Sequence, residues 1–358
     1  MSGAEDRLEG LRLIRDSVAA IVPPGSDLKR IRALRFVEPG FDRAVWREMA
    51  ELGWIGLRVP EAEGGAGLGM AELCAVAEGL GAGLAPEPLV SAAVISPLLP
   101  PDWRASVLAG DKIVLPAWQE KANHFSPPLA GGAGGGVPGD NLATPLSTKK
   151  RFIHMAAGAD AFLVSTPTGL ALVPRDASGV TLDLDRTQDG GHFGTLTLTD
   201  APAIPIGGAL PLDEAALATA AYLLGVMDRA FAMTLDYLRT RQQFGRAIGS
   251  FQALQHRCAD LRIQVALTRA SVESAAATLD ARGPTPAASA AVSRAKARAA
   301  EAAMLVTRQA IQLHGGIGYT DEADIGLYLR KAMVLANLYG GAASHRARYA
   351  ALVPEQDE

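Results

Sequence analysis

The apolar positions of this chain change period twice, and each change marks a change of architecture. From residue 4 to about 112 they recur at helical spacing with short breaks. Phe41 to Trp54 reads as a short helix ending at Gly53, a glycine suited to a C-terminal cap. The run Val59–Gly69 has glycine at 64, 65, 67 and 69 and reads as a loop. Met70 to Leu80 then forms a helix with Leu73, Ala77 and Leu80 on one side.

Near Lys112 the period falls to two and β-branched residues become frequent. Phe152–Met155, Ala161–Ser165, Leu170–Val173, Val180–Leu184 and Gly194–Thr199 read as short strands. Turn residues at 157–160, 175–179 and 188–191 separate them. The segment Ser126–Leu146 contains six Gly and four Pro, a composition that predicts a flexible loop.

From about 210 the helical period returns and lasts nearly to the end. Leu217, Ala221, Leu224, Phe231, Leu235 and Leu238 form one stripe, with Asp228 at the position that would complete it. Phe251, Leu254, Cys258, Leu261, Val265 and Val272 form a second. Val292, Ala295, Ala299, Ala302, Val306 and Leu313 form a third, stopped by Gly315-Gly316. A fourth helix follows from Thr320 as N-cap, with Ile325, Leu329, Ala332 and Val334 apolar. The pattern predicts a mostly α chain with a small β-domain: an N-terminal helical domain over 1–112, a central β-domain over 113–205 and a C-terminal four-helix bundle over 206–358.

Composition narrows the function classes. With 358 residues, 49% hydrophobic and 20% charged, the chain is long enough for a sizeable core. Its net charge of -4 gives no reason to expect nucleic acid or an anionic membrane as a partner. Cys74 and Cys258 fall in helical apolar patterns, which predicts buried free thiols in a reducing compartment. The charged, amphipathic N-terminus is unlike a signal peptide, and no run approaches the ~20 apolar residues of a membrane span. The expectation is a cytoplasmic protein. His124 and His154 have no partners at metal-ligand spacing, so no metal is expected. Gly131–Gly136 lacks the Lys-Ser/Thr and the strand–loop–helix setting of a phosphate loop.

Candidate chemistry lies at the bend between the first two bundle helices, Arg241-Gln-Gln-Phe-Gly-Arg-Ala-Ile-Gly-Ser-Phe-Gln-Ala-Leu-Gln-His-Arg257. Gly245 and Gly249 let the chain turn, while Arg241, Gln243 and Phe244 place a guanidinium, an amide and a ring on that turn. A guanidinium beside a ring suits a pyrophosphate beside an adenine. By themselves the same residues also describe an ordinary helix–helix loop.

The bend resembles the RxxFGxxIxxFQ segment of the acyl-CoA dehydrogenases, and Gln309-Ala-Ile-Gln-Leu-His-Gly-Gly-Ile-Gly-Tyr-Thr320 resembles that family's QxxGGxGY segment. The wording from Leu52 to Pro88 is similar to the family's N-terminal helical domain, which walls one side of the acyl chain. The resemblance covers nearly the whole chain and is strongest over 241–346. It implies FAD as cofactor, an acyl-CoA thioester as substrate and an electron-transfer flavoprotein as electron acceptor. In the family a carboxylate removes the α-proton while a hydride leaves the β-carbon for the flavin. The resemblance further implies that Arg241 contacts the FAD pyrophosphate, that Phe244 lies near the adenine and that Gln243 adds a hydrogen bond. Gln312, Gly315 and Gly316 would meet the adenosine end. In the family these groups reach an FAD held mainly by the neighbouring subunit, so they imply an oligomer.

Two departures stand out. Most members carry the base in a Y-E-G-T segment; here that segment is Tyr339-Gly-Gly-Ala342, with Gly340 in place of the glutamate and Ala342 in place of the threonine. A smaller group places the base early in the first bundle helix, where this chain has Ala215, with Glu214 one residue and about 100° away. Glu214 is then a weak candidate, and a glutamate in a first helical turn also serves the helix dipole. The family's TExxxGSD-like flavin-ring stretch has no match in Leu115–Pro128. His345 has no role implied, since a histidine beside Arg346 is ordinarily solvated.

The tail and motif wording are most similar to small subunits of pimeloyl-CoA-type enzymes and to subunits of heterotetrameric steroid side-chain dehydrogenases. That branch implies a subunit of an α2β2 enzyme that completes the FAD site of a partner bearing the base. Two alternatives stay open: a self-sufficient homotetramer with a non-standard base, and a flavin-free acyl-CoA-binding or scaffold protein.

Overall fold

The computed structural model describes residues 2–23, 25, 27–121 and 144–353. His124, the glycine run 131–136 and most of the expected flexible loop lie outside the described residues. Packing divides the chain into two compact units: 1–29 with 70–85 and 216–358, and 30–69 with 86–215.

The second unit joins short helices to a sheet. Its helices are α2 (Lys29–Leu34), α3 (Arg43–Glu51), α5 (Leu89–Ile95) and α6 (Pro101–Leu108). Asp42 caps α3 by accepting from the Ala44 N–H, and Gly53 at φ 76 follows its last turn, so the chain reverses where the sequence placed a stop. Trp46, Met49 and Trp54 are thereby buried.

The sheet consists of β1 (Val114–Ala117), β2 (Thr144–His154), β3 (Ala161–Thr166), β4 (Gly169–Pro174), β5 (Val180–Arg186) and β6 (His192–Pro205). Its order is β1-β3-β4-β6-β2, with β5 also on β6. The fourteen-residue β6 is the spine of this half-barrel. It pairs β5 near its start, β4 at its end and β2 along its other edge, all antiparallel. β1, which runs parallel to β3, has no counterpart among the expected strands. Its short run Val-Leu-Pro-Ala is apolar throughout, the signature of a strand buried on both faces, and offers no alternation to detect.

The first unit is helical: α1 (Ser2–Val18), α4 (Met70–Ala82), α7 (Leu212–Thr240), α8 (Gln252–Arg282), α9 (Pro286–His314), α10 (Ile325–Leu335) and α11 (Ala342–Leu352). α7 starts in the second unit and crosses into this one. By length and composition it could cross a bilayer, contrary to the expectation that no run is apolar enough. Most of its apolar window is buried, as in a core helix. α4 and α7 touch backbone to backbone: a Cβ on Gly225 would lie 1.8 Å from the Glu78 carbonyl oxygen, and one on Gly81 would lie 2.0 Å from that of Tyr222. Asp228, the break in the apolar stripe of α7, lies 3.7 Å from Arg262 and 3.6 Å from Arg269 on α8. Asp280 accepts from the N–H groups of Met70 and Ala71 and so caps α4 from outside its own sequence.

Two local expectations change. α10 begins at Ile325, not at Thr320, whose hydroxyl instead donates to the Ile317 carbonyl at the end of a 3-10 turn over 315–319. Cys74 is buried as expected, whereas Cys258 is half-buried; neither forms a disulfide.

Candidate functional site

The bend after α7 is a miniature β-hairpin. β7 (Gln242–Gln243) pairs with β8 (Arg246–Ala247), and the two turn residues, Phe244 and Gly245, both have positive φ, 54° and 78°. This is the turn class whose twist suits a tight hairpin. Glycine adopts it freely; phenylalanine adopts it at a cost. Phe244 is also 89% exposed. A large apolar ring that is both strained and solvent-facing buries little area within its own chain. Arg241 and Gln243 are exposed beside it. Behind them the Phe251 ring meets Phe244 edge-on at 6.0 Å, and the Arg246 guanidinium lies 4.2 Å from the Phe251 centroid. Gly249 serves close approach rather than the turn: a Cβ there would come 2.9 Å from the Leu238 carbonyl oxygen.

The second motif ends α9. Gln312, Gly315 and Gly316 are exposed, and a Cβ on either glycine would meet nothing within 4 Å. Gly315 has φ 64° and stops the helix, so the stop and the open approach coincide. His314, between these residues, is buried. Its Nδ1 lies 2.8 Å from the Ala310 carbonyl oxygen, and burial pushes its pKa down. Its ring stacks on Tyr237 of α7 at 4.5 Å and 20°. Tyr237 is one turn before Arg241 and His314 is two residues after Gln312, so the stack joins the ends of α7 and α9. The two motifs therefore share one end of the helical unit. Tyr237 and His314 were not among the expected site residues. An aromatic pair formed by two distant helices leaves no spacing signal in sequence.

The third element is the turn between α10 and α11, where Tyr339 has φ 54° and Gly340 has φ 97°. Gly340, where the resemblance implies a glutamate, thus sits in the backbone region that favours glycine. His345, expected to be solvated, is fully buried; its Nε2 is 2.8 Å from the Tyr339 carbonyl oxygen.

Glu214 lies in the first turn of α7. Its carboxylate is gripped by Arg58 through Nη2–Oε1 at 2.9 Å and Nε–Oε2 at 3.1 Å, and Arg58 Nη1 also donates to the Leu68 carbonyl. A carboxylate paired at both oxygens is a structural anchor for the 58–69 loop. Among the described residues, no group of three or more His, Cys, Asp or Glu could hold a metal ion.

Residues 209–352 match the family described as Acyl-CoA dehydrogenase, C-terminal domain, and residues 9–99 match Acyl-CoA dehydrogenase, N-terminal domain. The acyl-CoA dehydrogenase IpdE2 of Mycolicibacterium smegmatis is 34% identical over 333 residues, covering 93% of this chain and 95% of the relative. This chain belongs to the acyl-CoA dehydrogenase family. As an acyl-CoA dehydrogenase it is an oxidoreductase acting on CH–CH bonds. Among solved structures, a variant of the Tcur3481–Tcur3483 steroid ACAD is similar with a TM-score of 0.85 and 32% identity, covering 96% of this chain and 97% of that one. The ChsE4–ChsE5 complex of Mycobacterium tuberculosis is similar with a TM-score of 0.82 and 28% identity, covering 98% of each. The family typically binds FAD. The exposed arginine–aromatic hairpin and the open glycines are of the right chemistry for its adenosine and pyrophosphate end.

Proposed function

We propose that this acyl-CoA dehydrogenase chain is the completing subunit of a heteromeric enzyme that desaturates an acyl-CoA thioester between Cα and Cβ. Arg241 and Gln243 bind the pyrophosphate, Phe244 packs against the adenine, and Gln312, Gly315 and Gly316 let the adenosine end approach. The FAD that they reach is held chiefly by a partner subunit, which also supplies the catalytic base. When bound, FAD supplies the hydride acceptor for the oxidation, and an electron-transfer flavoprotein then takes the electrons.

One observation carries this reading. Gly340, at the position where the family's glutamate is expected, has no side chain to accept a proton, and its φ of 97° is one that favours glycine. The exposed, strained Phe244 supports it, because such a ring needs a ligand or partner outside its own chain. The Arg58 pairing of Glu214 weighs against a self-sufficient enzyme. Two similar structures are described as two-component complexes, one of them a steroid enzyme, which favours a mixed assembly and a bulky, ring-bearing acyl group.

Native mass spectrometry of the chain co-expressed with a sister dehydrogenase that keeps the glutamate tests the proposal. The expected species is a mixed tetramer retaining FAD. A homotetramer of this chain that retains FAD and excludes the sister chain would contradict it.

A further inference from the structure

The Tyr237–His314 stack lies behind the two segments assigned to FAD, and both segments are tied to the residues that form it. The Arg241 N–H donates to the Tyr237 carbonyl at 2.8 Å, so the hairpin starts on the helical turn that carries the ring. The Ile248 N–H donates to the Arg241 carbonyl at 2.8 Å and closes the hairpin. Gly249 then packs on the carbonyl of Leu238, the residue after Tyr237. On the other side, the 3-10 turn over 315–319 folds back on His314. A Cβ on Gly318 would lie 3.0 Å from the His314 Cβ and 2.6 Å from the Ile311 carbonyl oxygen.

A histidine is a costly choice for this slot. Its ring is 9% exposed, and a buried polar group is unfavourable unless it is hydrogen-bonded. A carbonyl only accepts, so Nδ1 carries the proton in its 2.8 Å bond to Ala310, one turn back on α9. That bond fixes the plane of the ring, and Tyr237 lies against the plane at 4.5 Å and 20°. A leucine would fill the space more cheaply and would supply neither the fixed plane nor the flat face. Two flat faces in contact set one spacing between the ends of α7 and α9, where two aliphatic chains would allow several. The ligand explains the need for one spacing. The pyrophosphate and adenosine of FAD are covalently joined, so the groups that bind them gain most when already held at the matching separation. Along the chain those groups are joined only through the whole of α8 and α9, so their separation depends on contacts across the helix ends.

We propose that Tyr237 and His314 are positioning residues: their stack holds the Arg241–Phe244 hairpin and the Gln312–Gly316 stop at the separation that one FAD molecule spans. The proposal rests on the assignment of these two segments to FAD.

The test uses the flavin-loaded co-expressed assembly and the full chain alone, with Tyr237→Leu, His314→Leu, the double leucine variant, Tyr237→Phe and His314→Phe. FAD release on dilution, followed by flavin fluorescence, is the first readout. Each leucine variant should release FAD about tenfold faster than the wild type. The double variant should be no faster than either, because two residues acting through one contact lose it once. The phenylalanine variants keep a flat ring and should stay within about twofold of the wild type. Amide exchange of the chain alone is the second readout. The leucine variants should speed exchange at 241–249 and 315–319 and leave the middle of α8 and α9 unchanged. Leucine variants that release FAD at the wild-type rate, or losses that multiply in the double variant, would overturn the proposal. So would phenylalanine variants as fast as the leucine ones, or exchange raised equally along every helix. If His314→Leu does not fold, Tyr237→Leu and Tyr237→Phe decide by the same readouts. A wild-type assembly without flavin, or Arg241→Ala with unchanged FAD release, would instead overturn the assignment of the two segments to FAD, and both are measured before any stack variant.

Discussion

Arg58 grips Glu214 with two guanidinium nitrogens, at 2.9 and 3.1 Å, while a third nitrogen holds the Leu68 carbonyl 2.9 Å away. The pair ties the glycine-rich 58–69 loop to the first turn of α7. Both oxygens of the carboxylate accept from the guanidinium, which favours the ionised form and weakens the carboxylate as a proton acceptor. Glu214→Gln in the assembled enzyme is therefore expected to leave turnover within about twofold and to lower stability by about 1 kcal/mol, the scale of a partly exposed ion pair. Steady-state rates and thermal melts of the variant check both. A loss of turnover by orders of magnitude with unchanged melting would reinstate Glu214 as the base.

Phe244 and Arg241 give the opposite pattern. Both side chains are exposed, so Phe244→Ala and Arg241→Ala should change the stability of the isolated chain by less than about 0.5 kcal/mol. In the flavin-loaded assembly, loss of the arginine's charge-assisted contacts should cost about 2 kcal/mol, roughly a thirtyfold weaker hold on FAD. Denaturant titration of the chain and FAD titration of the apo-assembly separate the two effects.

The contact between α4 and α7 is a sharper test of packing. A Cβ at Gly225 would come within 1.8 Å of the Glu78 carbonyl oxygen, which belongs to helix backbone and cannot swing aside. Gly225→Ala should destabilise the chain by about 3 kcal/mol, at the upper end of overpacking costs. Gly316→Ala, where a Cβ meets open space, should fold normally and serve as the control. Equal melts for the two variants would show that the helices do not approach as described.

Burial of two histidines is expected to lower stability on the acid side. His192 Nε2 accepts the Ala157 N–H at 2.8 Å, which requires a neutral ring, and burial pushes its pKa below 6.5 despite the nearby Glu38 and Asp189 carboxylates. Burial lowers His314 as well. With folded-state values below 6.5, the unfolded chain binds more protons as the pH falls. The stabilisation from neutral burial is complete above 6.5 and is lost towards the folded-state pKa values. Unfolding free energies should fall as the pH drops from 7 to about 5, and His192→Gln should flatten that decline. A decline of the same slope in that variant would remove His192 from the explanation.

Much of this arrangement was legible in the chain itself. The switches of hydrophobic period located the helices and most strands, because amphipathic elements must turn one face inward. β1 escaped because a short, fully buried strand does not alternate. The hairpin bend and the end of α9 were legible as local wording. Their meeting through Tyr237 and His314 was not, since it depends on two helices ending at the same level. His345 shows how the local context misleads: its neighbour Arg346 is exposed and paired with Glu301, while the histidine turns fully inward.

The most direct measurement is the visible absorption spectrum of the chain purified alone and again after co-expression with a sister dehydrogenase carrying the glutamate. Flavin bands that appear in the co-expressed complex and are absent from the lone chain are the predicted result. Stoichiometric flavin in the lone chain, with turnover in the absence of any partner, would contradict the account.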